Sequence, residues 1–163
     1  MNKKFKLSLE DKLMIDGRAL YRIIAESDFA YVKKGDKGGY IEKESNLAQD
    51  EDCWVYNNAR VYGNALVYGN AHVYGNALVY GNAVVYGDAC VYDNMLAKDS
   101  VVTVGGLEFT ITKTTTHLAV GCKAHRLKEW RELLTQDLNL YSAEVKGNYA
   151  ELRALVETLV REY

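Results

Sequence analysis

The chain has 163 residues and a formal net charge of −2, so it lacks the basic excess with which proteins hold duplex nucleic acid or an anionic membrane. No apolar run approaches the roughly 20 residues that span a bilayer, and the opening MNKKFKLSLEDKLMIDG carries lysines without the apolar core of a secretory signal. Three scattered cysteines (Cys53, Cys90 and Cys122) make no disulfide framework and fit a reduced, cytoplasmic setting, while the absence of proline and the 13 tyrosines favour regular extended backbone.

Charge divides the chain into a head (1–40), a middle (41–100) and a tail (101–163). Between Cys53 and Thr112 the charged side chains are Arg60, Asp88, Asp93, Lys98, Asp99 and Glu108, whereas both flanks are densely charged. The head reads as strand, turn, strand, turn, with Asp16–Gly17 and Gly35–Asp36 at the bends. The glycine-rich KKGDKGG (33–39) has neither the Gly-Lys-Ser/Thr ending nor the following helix of a phosphate loop, and reads as a charged hairpin turn.

The middle repeats one phrase. From Val61 to Ala89 it runs VYGNALVYGNAHVYGNALVYGNAVVYGDA. Six residues are too few for a helical repeat or a propeller blade, but they hold a short strand and a turn. Position one is Val55, Val61, Val67, Val73, Val79, Val85 and Val91; position five is alanine from Ala59 to Ala89; glycine and Asn or Asp at positions three and four supply turn chemistry. If positions one and five point inward, positions six and two point outward. One outer face then carries Trp54, His72 and Cys90 with Tyr56, Tyr74 and Tyr92. A second carries Arg60, Leu78 and Leu96 with Tyr62 and Tyr80, and a third Leu66 and Val84 with Tyr68 and Tyr86. Coils stacked at about 4.8 Å make the tyrosines into ladders. Such apolar faces call for a cover, either another subunit or the chain's own ends, and the open coil edges call for caps.

These residues resemble the hexapeptide-repeat, left-handed parallel β-helix family, in which three hexads make one triangular coil. The resemblance covers roughly residues 41–100. Ile41, Ser45 and Leu47 look like opening hexads, the register then slips by two before Val55, and Met95–Ser100 blurs the pattern. It implies a mainly β fold and a homotrimer. The order KKGDKGGYIEKESNLAQDEDCWVY, YGNA repeats, a Gly-Gly hairpin, VGCKAH and a tryptophan is also similar to YGNA-repeat proteins of phages and prophages. That implies the cytoplasm of an infected or lysogenic host.

The tail reads as a hairpin around Gly105–Gly106, a helix over 122–138 with Leu127, Trp130, Leu134 and Leu138 on one side, and a second helix over 148–163. Asn148 and Glu151 make a cap pair for the second helix. Its stripe of Leu152, Leu155, Val156, Leu159 and Val160 suits packing in cis or between chains.

Chemistry is sparse. Hexapeptide β-helices include acyltransferases with a catalytic histidine at a subunit interface, and His72 is the histidine of the coils. The neighbouring hexads show no Asp or Glu placed to orient it, and no long external loop or basic group to hold coenzyme A phosphates. His117, Cys122 and His125 make three ligands where a structural zinc site wants four, so no metal and no cofactor is expected. Lys113, Lys123, Arg126, Lys128 and Arg131 face a single Glu129, with His117 and His125 among them. Joined to tyrosine faces in an oligomer, this would be an anion zone for a nucleotide. The expected ligand-binding residues are therefore His117, Lys123, His125, Arg126, Lys128, Trp130, Tyr74 and His72. The expected function is a non-enzymatic phage binding protein that sequesters a nucleotide signal or blocks a host protein. A virion or scaffold component and an acyl-CoA-dependent acyltransferase are the alternatives.

Overall fold

The structure, a computed structural model, describes residues 3–99, 101–104, 110–121, 123–135 and 149–161. The hexads form two-residue strands separated by corners: β4 (Trp54–Val55), β5 (Arg60–Val61), β6 (Leu66–Val67), β7 (His72–Val73), β8 (Leu78–Val79), β9 (Val84–Val85), β10 (Cys90–Val91) and β11 (Leu96–Ala97). Strands three hexads apart pair in parallel, as Arg60 with Leu78 and Leu66 with Val84. The result is a parallel β-helix with three faces, β4–β7–β10, β5–β8–β11 and β6–β9. Every position-one valine from Val55 to Val91 and every position-five alanine from Ala59 to Ala89 is buried in one continuous core. The corners need positive φ: Gly69 has φ +73, and a Cβ there would lie 2.9 Å from the amide nitrogen of Gly87 in the next coil.

The expected register slip is present. Ile41 pairs with Val61 and Val61 with Val79, a step of 20 residues and then one of 18. The two extra residues fall in the opening coil, which contains a short 3₁₀ turn over Glu44–Asn46. Ser45 is exposed rather than inward; Asn46 takes the buried place and donates its amide to the carbonyl of Ala65 at 2.8 Å and that of Gly63 at 3.3 Å. At the far end the sizes invert, with Met95 filling the small position and Ala97 the large one.

Both coil edges are capped by the chain. At the head, β1 (Phe5–Ile15) and β2 (Arg18–Ala25) form a hairpin whose turn residues Asp16 and Gly17 both have positive φ, as a tight type I′ turn requires. β3 (Lys37–Ile41) pairs antiparallel with β2 and parallel with β5, so the hairpin continues one face of the helix as a six-stranded sheet. Phe5 and Phe29 close edge-on over Trp54, and the Lys4 ammonium reaches the carbonyls of Glu51 and Cys53 at 2.6 and 3.0 Å. Trp54, expected to point outward, is therefore buried, as are Tyr62 and Tyr92.

The tail makes a four-stranded antiparallel sheet of β12 (Val102–Val104), β13 (Ile111–Lys113), β14 (His117–Val120) and β15 (Lys123–Arg126). Its threonines terminate the β-helix: Thr112, Thr116 and Thr115 hydroxyls accept the edge N–H groups of Cys90, Leu96 and Lys98 at 3.2, 3.2 and 3.3 Å. Residues 123–126 are a strand, not the start of a helix, because they pair along their whole length with β14. Helix α1 begins only at Leu127 and ends at Thr135. Helix α2 (Tyr149–Arg161) buries Leu152, Val156 and Val160 against α1 and this sheet, in a second core with Ile111, Leu118, Val120, Leu127 and Trp130. The stripe thus packs in cis, on the tail and not on a tyrosine face. The Gly105–Gly106 turn, Cys122, Leu138 and the Asn148 cap lie outside the described residues. Among the described residues no helix is long and apolar enough to cross a membrane.

Candidate functional site

The face β4–β7–β10 carries the most functional group chemistry on the coils. Strand pairing stacks Trp54, His72 and Cys90 in one column. Two residues on, each tyrosine stands at the start of a corner. Tyr74 lies flat against Tyr92, with centroids 5.2 Å apart and planes at 7°, while Tyr56 meets Tyr74 at 84° and 6.3 Å. Tyr56 also leans on the His72 ring at 5.6 Å. With Tyr31, which stands 91% exposed on the connection between β2 and β3, and Asn57 at a corner, the rings of Tyr56, His72 and Tyr74 line a cleft of about 380 Å³.

His72 is half-buried at the side of this cleft. Burial pushes its pKa below the ordinary 6.5, and Asp52 and Asp88 offset the fall only in part, so the ring is neutral at pH 7. The two aspartates correct the expectation that no acid lies near it. They belong to the corner sequences DEDC and GDA and approach only because the coils stack. Neither orients the ring by a hydrogen bond to Nδ1, which is buried without a partner among the described residues. The arrangement offers tyrosine faces, a neutral imidazole and one amide.

The remaining expected residues sit on the tail. His117 and Arg126 are cross-strand partners, and His117 Nδ1 is 2.7 Å from the Thr116 hydroxyl. Burial lowers the His117 pKa, and the Arg126 charge lowers it further. His125 meets Trp130 edge-on at 5.3 Å, and Trp130 is buried with its indole N–H donated to the Leu118 carbonyl at 2.7 Å. Trp130 is a core residue and offers no stacking platform. Lys123 lies on β15; Arg126 and Lys128 are exposed. Arg131 is engaged by the carbonyl of Val160 at 2.9 Å, closing the end of α2. None of these lines the cleft of His72 and Tyr74, so the aromatic and basic halves of the expected nucleotide site do not share one hollow. Among the described residues no three His, Cys, Asp or Glu side chains converge as a metal site requires.

Tyr31, Tyr56 and Asn57 line the cleft but were not among the expected ligand-binding residues. Tyr56 carries the repeat signal, but Tyr31 reaches the cleft only through the fold of the head. A second hollow of about 570 Å³ lies between the β1–β2 turn and the next face, lined among others by Asp16, Tyr62, Asn64 and Tyr80. Its Glu42 accepts the Gly63 N–H at 2.6 Å and Arg18 at 2.8 Å, so its central charges are already spent on joining hairpin to coil.

The comparison with family models falls on the coils. A family model described as the YdcK beta solenoid repeat matches residues 55–69, 59–75 and 71–87. A relative described as the uncharacterized acetyltransferase YdcK of Escherichia coli (strain K12) is 40% identical over 62 residues, covering 34% of this chain. The match spans 19% of that relative's length. Fold and comparisons agree on a β-solenoid repeat protein whose coils are similar to those of YdcK.

Proposed function

We propose that the chain is a non-enzymatic binding protein that acts as an oligomer and uses the tyrosine-lined cleft at His72 for recognition. The cleft carries this reading: several aromatic side chains converge on a coil framework whose core is closed, beside a histidine whose buried Nδ1 has no hydrogen-bonding orienter among the described residues. Leu66, Tyr68 and Tyr86, exposed together on the third face, support self-association, with a trimer favoured. In a phage setting such a body would block a host protein or sequester a nucleotide signal. The first is favoured, since among the described residues no Lys or Arg lines the cleft to meet phosphate. Native mass spectrometry of the protein isolated from the cells that make it should show a retained molecule or partner that Tyr74→Ala loses. A wild-type protein that carries nothing overturns the reading.

The name of the YdcK relative favours a second reading, an acyl-CoA-dependent acyltransferase with neutral His72 as general base. It expects acetyl-CoA turnover that His72→Ala abolishes. Turnover equal in that variant and wild type removes it.

A further inference from the structure

The chemistry of the cleft also indicates what it holds. Tyr56 and Tyr74 make two walls at 84°, a corner in which a compact guest touches both rings. Tyr31 stands at the mouth and His72, uncharged at neutral pH, supplies a further wall. Phenol faces carry negative potential and attract cations. The charges acting on His72 are those of Asp52 and Asp88, both acidic. The Arg22 guanidinium donates to the carbonyl of Asn57 at 3.1 Å but is ion-paired with Asp11 at 2.7 Å, which offsets its charge. An anion would thus meet ring faces, an imidazole and one amide, in the field of two carboxylates that do not themselves line the cleft. A primary ammonium would bring three N–H donors into a cleft walled mostly by ring carbon, and each unmet donor is costly. A fully N-methylated ammonium brings charge and no donor.

We propose that the cleft binds a quaternary ammonium group, either on a small molecule or on a peptide as trimethyllysine. The proposal rests on the reading of the cleft as a binding site and names its ligand. About 380 Å³ is ample for a trimethylammonium head and leaves room for a chain to exit past Tyr31.

The test is calorimetric titration of the whole chain with choline and with 3,3-dimethylbutan-1-ol, its neutral isostere, and with lysine and trimethyllysine peptides of one sequence. Choline should bind about threefold to tenfold tighter than the isostere, the margin that cation–π contacts in a partly open cleft supply. Tyr31→Ala, at a site too exposed to affect folding, should weaken choline several-fold, and Tyr74→Phe should retain it. A trimethyllysine peptide that binds well above free choline identifies a protein-borne source; equal affinity identifies a small-molecule source. Equal binding of choline and its isostere, or no binding of either, overturns the cation assignment. In those cases a molecule retained in native mass spectrometry and lost in Tyr74→Ala would still uphold the binding function.

Discussion

At the scale of single residues, close approach decides more than chemistry does. Gly39 has ordinary φ and lies inside β3, yet a Cβ there would fall 2.5 Å from the Ala59 carbonyl oxygen and 2.6 Å from a Val55 methyl. KKGDKGG therefore splits into a turn closed by Asp36 N–H to the Lys33 carbonyl and a strand whose glycines let the head settle on the first coil. Gly39→Ala should destabilise the chain by about 1–3 kcal/mol, measured by denaturant unfolding, because the atoms it meets include backbone that cannot yield. The histidines give a second residue-scale prediction. Burial lowers the pKa of both His72 and His117, so the unfolded chain binds more protons than the folded one below their ordinary 6.5. Stability is then greatest above that value and falls as the pH drops toward the depressed folded pKa values. The melting temperature should decline between about pH 7 and pH 5, and the double substitution His72→Gln, His117→Gln should flatten the decline. A wild-type melting temperature unchanged over that range would contradict the assignment of both rings as neutral.

At the scale of elements, the ends of the β-helix are handled by different chemistry. The head extends one face with real strands, and Lys4 serves the carbonyls of another. The tail instead offers hydroxyls from the run TKTTT, so three edge amides are satisfied without a further coil. Thr112 is buried, and Thr112→Val keeps its shape while removing the acceptor for Cys90 N–H. An unsatisfied amide there should cost about 1–3 kcal/mol, with hydrogen exchange quickened at Cys90 before the middle coils. Helices α1 and α2 are joined by a reciprocal device, Arg131 on the Val160 carbonyl and Arg153 on that of Leu134 at 2.8 Å. Each arginine donates to a carbonyl in the last described turn of the other helix. Two of the tail's basic groups thereby serve the fold.

At the scale of the whole molecule, the three faces differ in what covers them. The hairpin extends the face of Arg60, Leu78 and Leu96, and the head's aromatics cover the top of the face of Trp54 and His72. On the third, Leu66, Tyr68 and Tyr86 are 42, 38 and 44% exposed in a contiguous patch on β6 and β9 and the corners that follow them. If this face joins subunits, light scattering should give a multiple of the 18.4 kDa chain mass, and Leu66→Glu should return it to one chain without loss of helicity or strand content. A wild-type protein that scatters as a single chain would remove the oligomer from the proposed function.

The β-helix was legible because its rule is local: a valine and a small residue every six positions can be buried together only if every third hexad stacks. The register slip before Val55 was visible for the same reason. The cap residues were not. Ser45 and Asn46 both suit a corner, and only the 3₁₀ turn decides that Asn46 goes inside. Lys123–Arg126 has helical composition, but pairing with β14 satisfies more backbone than one further helical turn would. The cleft was half legible. Repetition placed Tyr56, His72 and Tyr74 on one face, whereas Tyr31 reaches the cleft, and Asp52 and Asp88 act on His72, from turns whose positions depend on how head and coils stack. The sequence by itself determined the repeat, its inward residues and its tyrosine ladders. Tertiary structure alone decided which ladder positions are covered, which basic residues are spent on helix ends, and that the surroundings of His72 are acidic, because those outcomes rest on contacts between segments far apart in the chain.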